Sequence, residues 1–359
     1  MLIKSLNLAN FRNYKNAHID FQKNLNMIIG KNGQGKTNLI EAIYMLSLGR
    51  SFRTNKDKEM VMFDTQNAYI SSIVESMDRE FKIEIKMGKD IKKAIKINSI
   101  PIEKLTDLLG IINIVIFSPE DLKLIREGPK ERRAFMDREL SQIRPSYYQT
   151  LYTYQKTLLQ RNNLLKRDKV DKGLLDVYDI QLANYGFKIM EQRKNFIEKI
   201  EPIAKKNHHR ISSGKENLSI KYNPNINISN KSLNDLEALF KEARNEDLNR
   251  RTTTIGPHKD DLSIFINDME IRSFGSQGQK RSAAISLKLS EIELIYEEKD
   301  EYPVVLLDDI FSELDIQRQK MLLDNLKGIQ TFVTTTENID IDKDSKIYNI
   351  ENAIISMIN

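Results

Sequence analysis

The stretch Gly30-Lys31-Asn32-Gly33-Gln34-Gly35-Lys36-Thr37 has the residue types and spacing of a phosphate cradle, G-x-x-x-x-G-K-T. Glycines at these positions let backbone N–H groups wrap an anion, and a helix starting at the lysine adds partial positive charge. The Lys36 ammonium would bind β- and γ-phosphates as a point charge. The Thr37 hydroxyl would ligate Mg²⁺. All eight residues, from Gly30 to Thr37, are therefore expected nucleotide contacts. The flanks suit the role. Leu25–Ile29 reads as a short apolar strand, and Asn38–Leu46 as a helix apolar on most sides with Gly49 as its stop.

A second site element lies far downstream. Val304-Val305-Leu306-Leu307-Asp308-Asp309 is an apolar run closed by two carboxylates. A run apolar on both faces suits a central strand of a covered parallel sheet, and ligands collect at the carboxyl ends of such strands. Asp308 is expected to arrive beside the phosphate loop and hold Mg²⁺, largely through water, as a Walker B aspartate. Asp309 is expected to orient the attacking water. Lys36, Asp308 and Asp309 are thus the expected catalytic groups, with Thr37 and Asp308 on the metal.

A third element, Phe274-Gly275-Ser276-Gln277-Gly278-Gln279, precedes a helix predicted from about Ser282 to Glu297. Taken alone, Ser276 reads as a helix N-cap. Its order ahead of the acidic strand makes Ser-x-Gly-Gln resemble the ABC-ATPase signature. That resemblance implies that Ser276, Gly278 and Gln279 sense the γ-phosphate of a nucleotide held by a second protomer. Ser312-Glu313-Leu314-Asp315 is similar to the D-loop of the same family. The strand Gln330–Thr336 carries threonine, at Thr335 or Thr336, where those proteins end in a switch histidine, and Asp309 replaces their glutamate. Both departures point to slow hydrolysis.

The opening Leu6–Tyr14 and the helix run Asn38–Ala42 resemble SMC-like DNA-repair ATPases. Four further segments resemble the RecF family within them: Gly49–Arg53, Phe117–Leu122, Pro129–Arg133 and Gly256–Asp261. The resemblance covers essentially the whole chain. It implies an α/β fold: an ABC-type ATPase head with a P-loop mixed sheet and an antiparallel β layer, plus an inserted helical lobe. It also implies an ATP-dependent homodimer that binds duplex DNA and ssDNA–dsDNA junctions, with weak DNA-stimulated ATPase activity. RecR, with RecO, is the implied protein partner, in loading of RecA. Two alternatives stay open: an SMC-like clamp with no loading role, and the nucleotide-binding subunit of a transporter.

Composition sets the outer bounds. Charged residues make up 30% and hydrophobic residues 40%, the balance of a soluble globular chain, and no run approaches a membrane span. The absence of cysteine excludes disulfides and thiolate metal ligands and fits a cytoplasmic location. A net charge of +5 permits nucleic-acid binding without demanding it. His208 and His209 are adjacent, so they leave a helix in different directions and do not suit a metal.

Residues 1–118 and 256–359 are expected to form a discontinuous ATPase lobe, with 119–255 a mainly helical insertion. Antiparallel strands are expected between Ala68 and Ile100, and helices near 130–143, 146–167, 173–209 and 232–250. Pro145 and Pro202 interrupt the insertion, and no heptad is sustained, so a long coiled coil is not expected. Candidate DNA-phosphate contacts are Arg50, Arg53, Lys56, Lys58, Arg126 and Lys130, with Arg132 and Arg133 beside them. Arg53 could equally reach nucleotide, and Arg132 or Arg133 could pair with Asp137 or Glu131. Lys92, Lys93 and Lys96 read as a solvated hairpin edge. His258, in Gly-Pro-His-Lys-Asp-Asp, reads as part of a rigid turn returning the chain to the ATPase lobe.

Overall fold

The computed structural model describes residues 1–336 and 345–358, apart from the side chains of Glu313 and Gln317. By contacts the chain forms two compact units, 1–121 with 291–359 and 122–290, the division falling within the helix Gln277–Lys299. No helix among the described residues is long and apolar enough to cross a membrane.

The first unit holds two sheets. The mixed sheet runs in the order 354–358, 345–351, 25–29, 331–335, 304–308, 114–117, and all but the edge strand Ile354–Ile358 are parallel. Met27, Ile28, Val304 to Leu307, Phe332 and Val333 are almost wholly buried, as strands covered on both faces require. The second sheet is antiparallel, in the order 14–20, 2–11, 67–76, 79–88, 94–97, 100–101. Tyr14–Asp20 and Leu25–Ile29, close in sequence, are strands of different sheets. Buried Gln330 ties the sheets together: its Oε1 accepts from the Ile3 N–H at 2.7 Å, and its Nε2 donates to the Ile3 and Gln22 carbonyls.

The second unit is helical, with a three-stranded antiparallel sheet ordered 269–270, 261–266, 218–223. Helices Pro129–Ile143 and Pro145–Leu165 abut at Pro145, which starts the second of them, where its missing N–H is harmless. Pro202 does not interrupt anything: the helix Lys172–Ile211 runs through it over 40 residues. Burial of Phe196, Ile197, Ile200, Ile203 and Ala204 around the proline offsets the lost backbone bond.

The Gly256–Asp261 turn also departs from expectation. The strand after it, Asp261–Ile266, pairs with Leu218–Asn223, and residues 256–290 belong to the second unit. Asp260 accepts from Arg193 at 2.9 Å, from the Asn225 N–H at 2.8 Å and from the Tyr222 hydroxyl. Asp261 takes Arg132 in a two-pronged bridge at 2.7 and 2.9 Å. Each aspartate therefore has its own cation. Arg132, 4% exposed, pairs with Asp261 and not with Asp137 or Glu131, and Arg133 donates to the Asp260 carbonyl at 2.7 Å. Both guanidiniums are structural.

His258 is a turn residue, as expected. Its Nε2 faces the Thr253 carbonyl at 3.1 Å and must carry the proton, while Nδ1 accepts from the Tyr154 hydroxyl at 2.7 Å. The ring is therefore neutral, and burial pushes its pKa down to about 4. The unfolded chain binds this proton near pH 6.5 and the folded chain only near 4, so stability falls as pH drops through that window. The loss should reach about 3 kcal/mol. Urea midpoints measured from pH 7 to 4 should show a steeper acid slope for the parent protein than for His258→Gln; equal slopes would refute the assignment.

Candidate nucleotide site and signature loop

The phosphate loop joins the end of strand Leu25–Ile29 to helix Lys36–Leu48. Gly33 and Gly35 have φ of +79° and +118°, which side chains rarely adopt. A Cβ on Gly30 would lie 2.5 Å from the Ile350 carbonyl oxygen, so glycine is required there by space alone. The first hairpin props the loop up. Asn13 Nδ2 donates to the Gln34 carbonyl at 3.1 Å, Tyr14 donates to the Gly35 carbonyl at 3.0 Å, and Asn38 Nδ2 reaches Asn13 Oδ1 at 2.9 Å. From the other side the Asn352 N–H donates to Gln34 Oε1 at 2.5 Å.

The loop opens into a pocket of about 330 Å³ lined by Asn32, Gly33, Gly35, Lys36, Thr37, Asn38, Arg53, Asp309 and Thr334. The buried Lys36 ammonium donates to the Gly30 and Lys31 carbonyls at 2.6 and 3.2 Å. Burial lowers its pKa, and Asp309 and Asp308 oppose that shift. Asp308 ends strand Val304–Asp308, separated from the loop's strand by Thr331–Thr335. Its Oδ1 accepts from Thr37 at 3.2 Å and from Thr334 at 2.9 Å. Burial raises its pKa, against those two hydrogen bonds. A threonine hydroxyl and a carboxylate facing each other at the mouth of a phosphate cradle are the all-oxygen donors Mg²⁺ prefers. The residues fit that metal. When bound, it would neutralise phosphate charge there.

Asp309 is exposed on the pocket wall with φ of +53°, and its N–H donates to Thr334 Oγ1 at 2.9 Å. Thr334 lines the pocket, whereas Thr335, the last residue of this strand, and Thr336 beyond it do not. The strand register, which sets Thr334 opposite Asp308, decides this, and no local signal carries it.

Glu41 is a second residue that sequence reasoning missed. Fully buried in the loop's helix, it accepts from Arg12 at 2.6 and 2.8 Å, from Ser51 at 2.5 Å and from Arg53 at 3.3 Å. Arg53 also donates to Asn38 Oδ1 at 2.8 Å, which aims its guanidinium at the phosphate pocket. Of the other candidate DNA contacts, Arg50, Lys58 and Lys130 are exposed, Lys56 pairs with Glu59, and Arg126 donates to Gln277 Oε1.

The signature segment lies in the second unit. Its helix starts at Gln277, five residues before the expected Ser282. Ser276 caps it, accepting from the Gln279 N–H at 3.2 Å, while Gln279 Oε1 accepts from the Ser276 N–H at 2.9 Å. Beyond Asp308, Asp315 caps the helix Ile316–Asn325. The Glu313 side chain in that D-loop-like segment lies outside the described residues.

Together, the mixed sheet, phosphate loop, acidic strand end and antiparallel layer define a P-loop ATPase head of the ABC type carrying a helical insertion, with no long coiled coil among the described residues. The family described as RecF/RecN/SMC N terminal domain matches residues 2–356. The DNA replication and repair protein RecF of Clostridioides difficile is 53% identical, covering 100% of this chain and 99% of its own length. That of Alkaliphilus oremlandii is 47% identical over 94% of this chain and 93% of its own. A solved structure of the recombination mediator protein RecF-ATPrS in the RecFOR pathway superposes with a TM-score of 0.94 at 38% identity, covering 100% of this chain and 98% of that one. An Smc head bound to the C-winged helix domain of ScpA, 19% identical, shares the fold at a TM-score of 0.58 over 100% and 97% of the two chains. The chain belongs to the RecF family.

Proposed function

We propose that this chain is an ATP-dependent switch that binds DNA in recombinational repair and replication. ATP, with Mg²⁺ on Thr37 and Asp308, occupies the pocket. Binding joins two copies, each presenting Ser276, Gly278 and Gln279 to the other's γ-phosphate. One observation carries the reading: the phosphate pocket is lined by residues of the first unit alone, while the signature serine stands exposed on the second. The 38–39% identical structures named RecF-ATPrS and RecF-ATP support ATP as the ligand. Family membership favours a DNA-repair role over the transporter-subunit alternative.

The dimer is the form that binds duplex DNA and ssDNA–dsDNA junctions, through Arg50, Lys56, Lys58, Arg126 and Lys130. It works with RecR and RecO to load RecA in the cytoplasm. Hydrolysis is slow. The Asp309 carboxylate is set back by one methylene from the glutamate of ABC ATPases, and neutral Thr334 stands by the pocket. The test is dimerisation of Ser276→Arg with ATP. ATP binding by the monomer should persist and the dimer should be lost; a dimer formed by this variant would remove the composite site. In the parent, DNA affinity should fall steeply with salt, since the contacts are to phosphates.

A further inference from the structure

The signature box is itself held from behind. Gln279 Nε2 donates to Glu216 Oε1 at 2.9 Å. The other Glu216 oxygen meets His208 Nε2 at 3.0 Å, and His208 Nδ1 lies 3.0 Å from Ser286 Oγ, further along the signature helix. His208 is fully buried in the last turn of Lys172–Ile211, and Glu216 is 22% exposed in the connection that follows. Ser212 Oγ fixes that connection by accepting from the Glu216 N–H at 3.2 Å.

The chemistry of these groups has a direction. A carboxylate only accepts, so Glu216 can face only the NH₂ side of the Gln279 amide. That forces Gln279 Oε1 toward the Ser276 N–H, the orientation that closes the box. An amide flipped by half a turn would set its NH₂ against the Ser276 N–H and open it. With the box closed, the Ser276 hydroxyl proton remains available to an anion, because its oxygen is already committed as acceptor to Gln279.

We propose that Glu216, held by His208, is a positioning residue that sets the Gln279 amide and so keeps Ser276 ready for the terminal phosphate of a second copy's nucleotide. This rests on the composite-site reading above. Glu216→Gln keeps an acceptor toward Gln279 once its own NH₂ faces His208 Nε2, whereas Glu216→Ala releases the amide.

The experiment uses the full chain and ATP. Dimerisation is followed by light scattering, monomer affinity with a fluorescent ATP analogue, and stability by melting. For Glu216→Ala the ATP-dependent dimerisation constant should weaken about tenfold, the effect of losing a charge-assisted hydrogen bond. Monomer affinity should stay at the parent value, melting should fall modestly because buried His208 loses a partner, and Glu216→Gln should restore dimerisation to within about twofold. Gln279→Met, altered in the helix's first turn, is the second variant. It should lose at least as much, and combining it with Glu216→Ala should lose no more than Gln279→Met alone. Parent-like dimerisation of Glu216→Ala or Gln279→Met overturns the proposal. If Ser276→Arg fails to dimerise in the same assay, the composite site survives that result; if Ser276→Arg dimerises, both readings fall.

Discussion

Lys36→Met should weaken ATP binding by about 3 kcal/mol, roughly two orders of magnitude in Kd. The ammonium is buried and now spends its protons on the Gly30 and Lys31 carbonyls of its own loop. Phosphate oxygens are better acceptors, and two charge-assisted bonds at about 1.5 kcal/mol each give the expected loss. Methionine keeps the stem and its packing. The variant should therefore fold as the parent does: burial already disfavours the charge, so its removal relieves a cost that partly offsets the two lost bonds. Apo stability should change by no more than about 1 kcal/mol. Isothermal titration with ATP, beside urea unfolding without it, separates the two effects. An affinity loss below about fivefold would remove Lys36 from the phosphates and the pocket from its assigned role.

The phosphate loop and the Asp308 strand were legible because each is a local pattern: glycine spacing in one, an unbroken apolar run in the other. Their meeting follows from a general rule about the carboxyl ends of parallel strands. What was not legible depends on long-range pairing. Thr334 reaches the pocket through the register between two strands whose facing residues, Asp308 and Thr334, are 26 positions apart. Gly256–Asp261 joins the second unit because its strand finds Leu218–Asn223, a pairing that its alternating apolar residues permit but do not select. Pro202 reads as a breaker locally and is overridden by packing along the helix on either side. Buried charges were the hardest to foresee. Glu41, Arg132 and Arg193 look like surface residues until their partners, distant in sequence, are known.

Arg193→Met carries the largest expected stability effect, about 4 kcal/mol of destabilisation. This guanidinium is 2% exposed at the centre of the second unit. It donates to Asp137 at 2.8 Å, to Asp260 at 2.9 Å and to the Pro257 carbonyl at 2.7 Å, with the Tyr147 hydroxyl at 3.1 Å. Tyr147 and Tyr222 donate to the same two aspartates. One side chain thus ties the helices Pro129–Ile143, Pro145–Leu165 and Lys172–Ile211 to the turn before Asp261–Ile266. Removing it takes from Asp137 and Asp260 the guanidinium that bonds them both. Burial already raises the pKa of Asp260, and without Arg193 that pKa must rise further. A carboxyl whose folded pKa lies above its unfolded value binds the proton more tightly when folded. The deficit should therefore shrink as pH falls and grow as it rises. The companion variant Arg193→Met with Asp137→Asn and Asp260→Asn removes the orphaned charges and should recover more than half of the loss. Urea unfolding of the three proteins at pH 5 and 8 decides the matter. A single variant as stable as the parent at pH 8 would mean that the buried charges are compensated by something other than Arg193.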